Sequence, residues 1–234
     1  MLVGIIGDYK ENSLTHETTE EALFHAAHHL NTEIDLVWID TSDAGGLSQE
    51  QLEVFSGFLM APGTYKDPAG ALHVIKWART QQIPLLGTCQ GFQHVALEYA
   101  RHVLDITDAQ HAEYTPNAEQ LVISPLGCSL VGESGEILLE PTSNAVKWYE
   151  TTRITEEYRC AFGLHPSFEA RFEEHGFSIS GRDQDGQARL LELQRHPFFL
   201  ATLFVPQLSS LFELPHPLFI RFVQAVSASY ESFQ

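Results

Sequence analysis

Along the first hundred residues, short unbroken apolar runs alternate with stretches whose apolar residues recur every three or four positions. Residues 2–6 (LVGII) form the first run, closed by Gly7 and Asp8. Residues 18–30 set Ala22, Leu23, Ala26 and Leu30 at helical spacing. Three further runs follow: residues 34–39, residues 58–61 ending at Pro62 and Gly63, and residues 84–87. Between the last two, residues 69–80 put Leu72, Ile75, Trp77 and Ala78 on one stripe. Runs that are continuous rather than alternating belong to strands buried on both faces. Strand and helix alternating at these lengths predict βαβ units around a parallel sheet. In such a sheet the reactive site lies at the carboxyl ends of the strands, here marked by Gly63 and Cys89.

Beyond residue 107 the pattern weakens. Residues 107–159 are punctuated by Pro, Gly, Ser and Thr and read as loops and antiparallel strands (121–124, 136–139), an excursion covering the site. Residues 166–176 read as a helix, 177–181 and 188–193 as a hairpin around Asp183-Gln184-Asp185-Gly186, 198–204 as a strand and 217–230 as a closing helix. No repeat, low-complexity tract or linker interrupts this order. Residues 1–234 therefore read as one α/β domain, a mostly parallel doubly wound sheet with helices on both faces.

The stretch with the most chemistry is PLLGTCQGFQHVALEYAR, residues 84–101. An apolar strand, a turn with glycines on both sides of Cys89, and a helix at once afterwards are the layout of a nucleophile elbow. A helix N-terminus beside Cys89 is expected to draw its pKa below the free value of about 8.5.

Composition narrows the classes. The chain has 234 residues, 44% hydrophobic and 11% aromatic, enough for a packed core. No apolar run reaches the roughly 18–20 residues of a membrane span, and MLVGIIGDYK reads as a first strand rather than a signal peptide, so a cytoplasmic location is expected. Thirteen Lys and Arg against 31 Asp and Glu give a net charge of −18, which argues against nucleic acid or anionic lipid as a partner. Cys89, Cys128 and Cys160 are scattered, and the 12 histidines show no ligand spacing, so neither a disulfide framework, a metal site nor a cofactor is expected.

Several ordered segments resemble the class I glutamine amidotransferases, within them the glutaminase domain of CTP synthases. GIIGDYKE, EALFHAAHHL, IDLVWID, APGTY, GTCQGFQ, ALEYARHVLDITDAQHAEYTP and RHPFFLATLFVPQLSS…HPLFIRFV follow that domain's order over nearly the whole chain. The resemblance implies a flavodoxin-like fold and glutamine, or a related small amide or amino acid, as ligand. It implies Cys89 as nucleophile and the N–H groups of Gly63 and Gln90 as oxyanion donors. Thr64 stands where the family has a second glycine, and Thr64, Gln93 and Glu113 match substrate-contacting positions.

Other positions depart from the family. Its strand ends Phe-His-Pro-Glu, whereas this chain reads Phe204-Val205-Pro206-Gln207, so Val205 and Gln207 replace the base and its orienting carboxylate. Ala161 falls at the substrate-clamping Arg, with Arg159 two residues away. Loss of a triad base costs on the order of 10⁴–10⁶ in turnover. His111 and His165, with His94 as a third, are the candidate substitute bases. Three readings stay open: a stand-alone CTP-synthase-like amidotransferase domain with an incomplete triad, served by a synthetase partner or a homo-oligomer; a pseudoenzyme that binds a small ligand or partner; and a Cys89-dependent hydrolase or redox protein acting on another substrate.

Overall fold

The computed structural model describes residues 1–232. Its first half runs β1 (Leu2–Ile6), α1 (Leu14–His29), β2 (Asp35–Ile39), α2 (Thr41–Ala44), α3 (Gln49–Leu52), β3 (Gly57–Met60), α4 (Pro68–Gln81), β4 (Leu85–Thr88) and α5 (Gln90–His102). The second half runs β5 (Gln110–His111), β6 (Leu121–Pro125), β7 (Ser134–Leu139), α6 (Asn144–Tyr149), β8 (Arg153–Glu157), β9 (Phe162–Leu164), α7 (Pro166–Glu174), β10 (Phe177–Asp183), β11 (Ala188–Leu193), β12 (Phe199–Thr202) and α8 (Pro217–Ser232), with a 3₁₀ turn at Pro206–Ser209.

A nine-stranded sheet has the order β2-β1-β3-β4-β12-β11-β10-β7-β8. From β2 to β12 every pairing is parallel, and Leu86 sits opposite Leu59 on one side and Leu200 on the other. From β12 to β8 every pairing is antiparallel. The parallel half is the part that the continuous apolar runs describe, and Ile5, Leu59, Leu85 and Leu86 within it are wholly buried. The stretch expected to be an excursion does two things. β7 and β8 extend the main sheet past β10, while β5 and β6 join β9 in a separate three-stranded sheet packed on α5.

The crossovers reverse direction between β2 and β3, and right-handed connections then put the helices on opposite faces. Accordingly α1 packs on α8, and α4 packs on α2 and α5. The α4–α5 contact is locked by Arg79, whose Nε and Nη2 donate to both carboxylate oxygens of the fully buried Glu98 at 2.8 and 2.7 Å. A bidentate fork of this kind fixes geometry as well as charge. It holds α5, whose N-terminus forms the site, at a set height on the sheet.

Candidate functional site

Cys89 follows β4 with φ 54° and ψ −105°, a conformation rare for a side-chain-bearing residue. Its N–H donates to the Thr202 carbonyl at 2.8 Å, and α5 starts at the next residue. The helix start lies so close to β3 that a Cβ on Gly91 would meet the Met60 carbonyl oxygen at 2.3 Å, so no larger residue fits there. The strand-turn-helix elbow is formed, and the Gln90 backbone N–H beside the thiol acts to lower its pKa.

The facing loop carries Gly63 at φ 105°. It is pinned from two sides. His16 donates from Nε2 to the Pro62 carbonyl at 3.0 Å while its Nδ1 accepts the Lys10 N–H at 3.0 Å. Asp8 Oδ2 accepts the Lys66 N–H at 2.8 Å. Burial lowers the His16 pKa, which favours the neutral tautomer this bracing needs.

Between elbow and loop lies a recess of about 230 Å³. Gly63, Thr64, Cys89, Gln90, Gln93 and Glu113 all line it, together with Val131, Arg159, Cys160, Ala161 and Phe162. Glu113 Oε2 accepts from the Gln90 side-chain amide at 3.1 Å, and the Tyr114 hydroxyl oxygen accepts from the same amide at 2.9 Å. Gln93 is tied into the protein: its Nε2 donates to the Phe162 carbonyl at 3.0 Å and its Oε1 accepts from His111 Nε2 at 2.8 Å. Arg159, whose side chain is 36% exposed, pairs with Glu157.

The expected substitute bases are not brought to Cys89. His111 gives Nε2–H to Gln93 and accepts the Glu113 N–H on Nδ1 at 3.1 Å, so both ring nitrogens are committed. Burial, with His94 beside it, lowers its pKa to about 3. His165 caps α7, its Nδ1 accepting the Ser167 N–H at 3.2 Å, and it does not line the recess. His94 donates Nδ1–H to the Gln90 carbonyl at 3.0 Å, and burial lowers it to about 4. No histidine among the described residues lines the recess.

Val205 and Gln207 are buried and also stand outside the recess lining. Gln207 Nε2 donates to Thr19 Oγ1 at 2.9 Å and Thr88 Oγ1 at 3.2 Å. Beside the nucleophile position stands Cys160 instead, a neighbour that sequence reading passed over. Its one signal was place: it immediately precedes Ala161, the position matched to the family's clamp. Hydrogen bonding with Cys160, then burial, then the charge of Cys160 push the Cys89 thiol well above the usual range. The expected lowering by the helix N-terminus is thus overturned, because the Gln90 N–H works against three larger effects.

An open α/β sheet with a cysteine elbow facing a glycine loop at its carboxyl edge defines an amidotransferase-type site. The family of glutamine amidotransferases class I matches residues 15–224, and the chain belongs to it. Within that family it is CTP-synthase-like. It is 34% identical over 238 residues to the CTP synthase of Cyanothece sp., covering 95% of this chain and 43% of that protein. Against the CTP synthase of Methanopyrus kandleri it is 30% identical over 239 residues, covering 96% and 45%. The chain thus spans less than half the length of these relatives. Among solved structures, the glutaminase domain of Trypanosoma brucei CTPS with bound acivicin superposes with a TM-score of 0.88 at 19% identity, over 97% of this chain and 94% of that one. A glutamine amidotransferase from Methylobacillus flagellatus gives 0.58 at 13% identity, over 98% and 94%. At these identities the structural likeness establishes the fold.

Proposed function

We propose that this CTP-synthase-like domain binds glutamine, or a closely related amino-acid amide, without turning it over at the ordinary glutaminase rate. The observation that carries this reading is the lining of the recess. One small cavity joins a cysteine at a helix start, a glycine loop facing it, a carboxylate (Glu113) and a guanidinium (Arg159). Glu113 is suited to an α-ammonium group and Arg159 to an α-carboxylate, which would point the side-chain amide toward Cys89. The N–H groups of Gln90 and Gly63 supply donors for the amide oxygen.

Attack by the Cys89 sulfur needs a group to take its proton and hand one to departing ammonia. Val205 can do neither, and Gln207 spends its amide hydrogens on Thr19 and Thr88. That favours binding over turnover, so the domain acts as a pseudoenzyme or ligand-responsive module. A CTP synthase reaction, or a synthetase partner receiving ammonia, would follow only if turnover exists. The test is calorimetric titration with L-glutamine beside ammonia release by wild type and Cys89→Ser. Saturable binding with ammonia release at the buffer rate is expected, and acivicin should compete with glutamine. Rapid release lost in Cys89→Ser would overturn the pseudoenzyme reading, and no binding would overturn the ligand.

A further inference from the structure

Two cysteines meet where the amidotransferase reaction uses one. Cys89 donates its backbone N–H to the Thr202 carbonyl at 2.8 Å, and the Cys160 Sγ–H donates to the next carbonyl, Leu203, at 3.5 Å. Adjacent carbonyls at the end of β12 therefore hold the backbone of Cys89 and the thiol of Cys160. Both are nearly buried, 4% and 6% exposed, and both line the same recess. The recess leaves an approach for a small solute. Cys160 also lies between β8 and β9, in a segment tied down by its own carbonyl to Leu130 N–H at 3.1 Å and by the Ala161 carbonyl to Leu126 N–H at 2.8 Å. The place of Cys160 in the recess wall is thus fixed by the fold.

We infer that Cys89 and Cys160 form a reversible intramolecular disulfide, with a small hydroperoxide as oxidant, and that this pair is a modification site of the recess. A charge on one sulfur opposes a second on its neighbour, so the pair carries one negative charge at most. The charged sulfur attacks a peroxide oxygen: an S–O bond forms, the O–O bond breaks, and the departing hydroxide takes a proton to leave as water. The peroxide is reduced by two electrons and the sulfur becomes a sulfenic acid. The second sulfur then attacks the first, the S–S bond forms, the S–O bond breaks, and the hydroxyl leaves with the second thiol's proton as another water. Two thiols and one hydrogen peroxide give one disulfide and two waters. A dithiol reverses the change by exchange. While oxidised, the recess has no free sulfur and its β8–β9 wall is tethered to the elbow. None of this requires that glutamine be the ligand.

The test uses the full chain and excess hydrogen peroxide, followed by alkylation of remaining thiols in denaturant and peptide mapping. Wild type is expected to yield linked Cys89 and Cys160 peptides, independently of protein concentration and separated again by dithiothreitol, while exposed Cys128 is oxidised on its own without entering a link. Cys128→Ser should behave the same with both of its thiols. Cys160→Ser should form no intramolecular link, and a sulfenic acid on Cys89 should become trappable by dimedone. Links through Cys128, or thiols of folded Cys128→Ser protein that survive peroxide, would overturn the inference. So would oxidation that stops at Cys89 while Cys160 stays free.

Discussion

Gln207 Nε2 donates to Thr88 Oγ1 at 3.2 Å and to Thr19 Oγ1 at 2.9 Å. The residue at the position resembling the family's orienting carboxylate is therefore a brace between α1 and the end of β4, one residue before the cysteine. Thr19 already spends its own hydroxyl hydrogen on the Thr15 carbonyl at 2.7 Å, so its oxygen must accept. Only a donor such as the amide satisfies it.

Gln207→Glu puts a carboxyl group into this fully enclosed place, where it either stays ionised and gives Thr19 no donor or takes up a proton with its pKa forced up, and is expected to cost about 2–3 kcal/mol in urea unfolding. Adding Val205→His supplies a cation partner and should return at least half of that loss. A Gln207→Glu protein as stable as wild type would contradict the brace. The same double variant should also raise glutamine hydrolysis, if the recess positions that substrate as proposed.

Arg159 separates binding from folding. Its side chain is 36% exposed and its pairing with Glu157 is at the surface, a type of contact worth roughly 0–1 kcal/mol. Arg159→Ala should leave the melting temperature nearly unchanged and weaken L-glutamine binding about tenfold or more in calorimetry. Arg159→Lys should recover only part, because an ammonium lacks the planar fork.

Much of this architecture could be read from the chain because its determinants are local. Continuous apolar runs marked β1, β3 and β4, and glycines at 87 and 91 around Cys89 marked a turn that tolerates no larger neighbour. What could not be read depends on contacts between distant segments. β7 and β8 alternate weakly; β7 gains its place only by pairing with β10, and β8 by pairing with β7. His111 faces Gln93 rather than Cys89 because β5 joins β6 and rests on α5. Cys160 reaches the elbow only once β8 and β9 have been fixed on either side of it, and that approach reversed the expected direction of the Cys89 pKa.

His94 and His111 give the fold a sensitivity to mild acid. Burial lowers His94 to about 4, and burial with His94 nearby lowers His111 to about 3, against about 6.5 in an unfolded chain. The unfolded state thus binds more protons below pH 6.5. The stability from keeping these rings neutral is complete above that pH and is lost as pH falls toward the folded values. By pH 5 the loss should reach roughly 2 kcal/mol per ring, before most carboxylates titrate. His111→Gln should lower overall stability but flatten the slope between pH 6.5 and 5 by about one proton. An unchanged slope would assign it to other groups.

The reactivity of Cys89 discriminates between the causes of its raised pKa. The thiol is held protonated at neutral pH, so iodoacetamide should modify exposed Cys128 at least about tenfold faster than Cys89 at pH 7.5. The Cys89 rate should climb only in alkaline solution. Hydrogen bonding to Cys160 is the largest cause of the rise and burial the second. Cys160→Ala removes the first and leaves the second, so Cys89 should alkylate about tenfold faster at pH 8, with its pH profile moved to lower values. The Gln90 N–H would then act with less opposition. If the profile stays in place, burial alone governs the thiol and Cys160 is only a neighbour. A profile that shifts down while Cys128 keeps its rate establishes the thiol pair as the group that sets the chemistry of the recess.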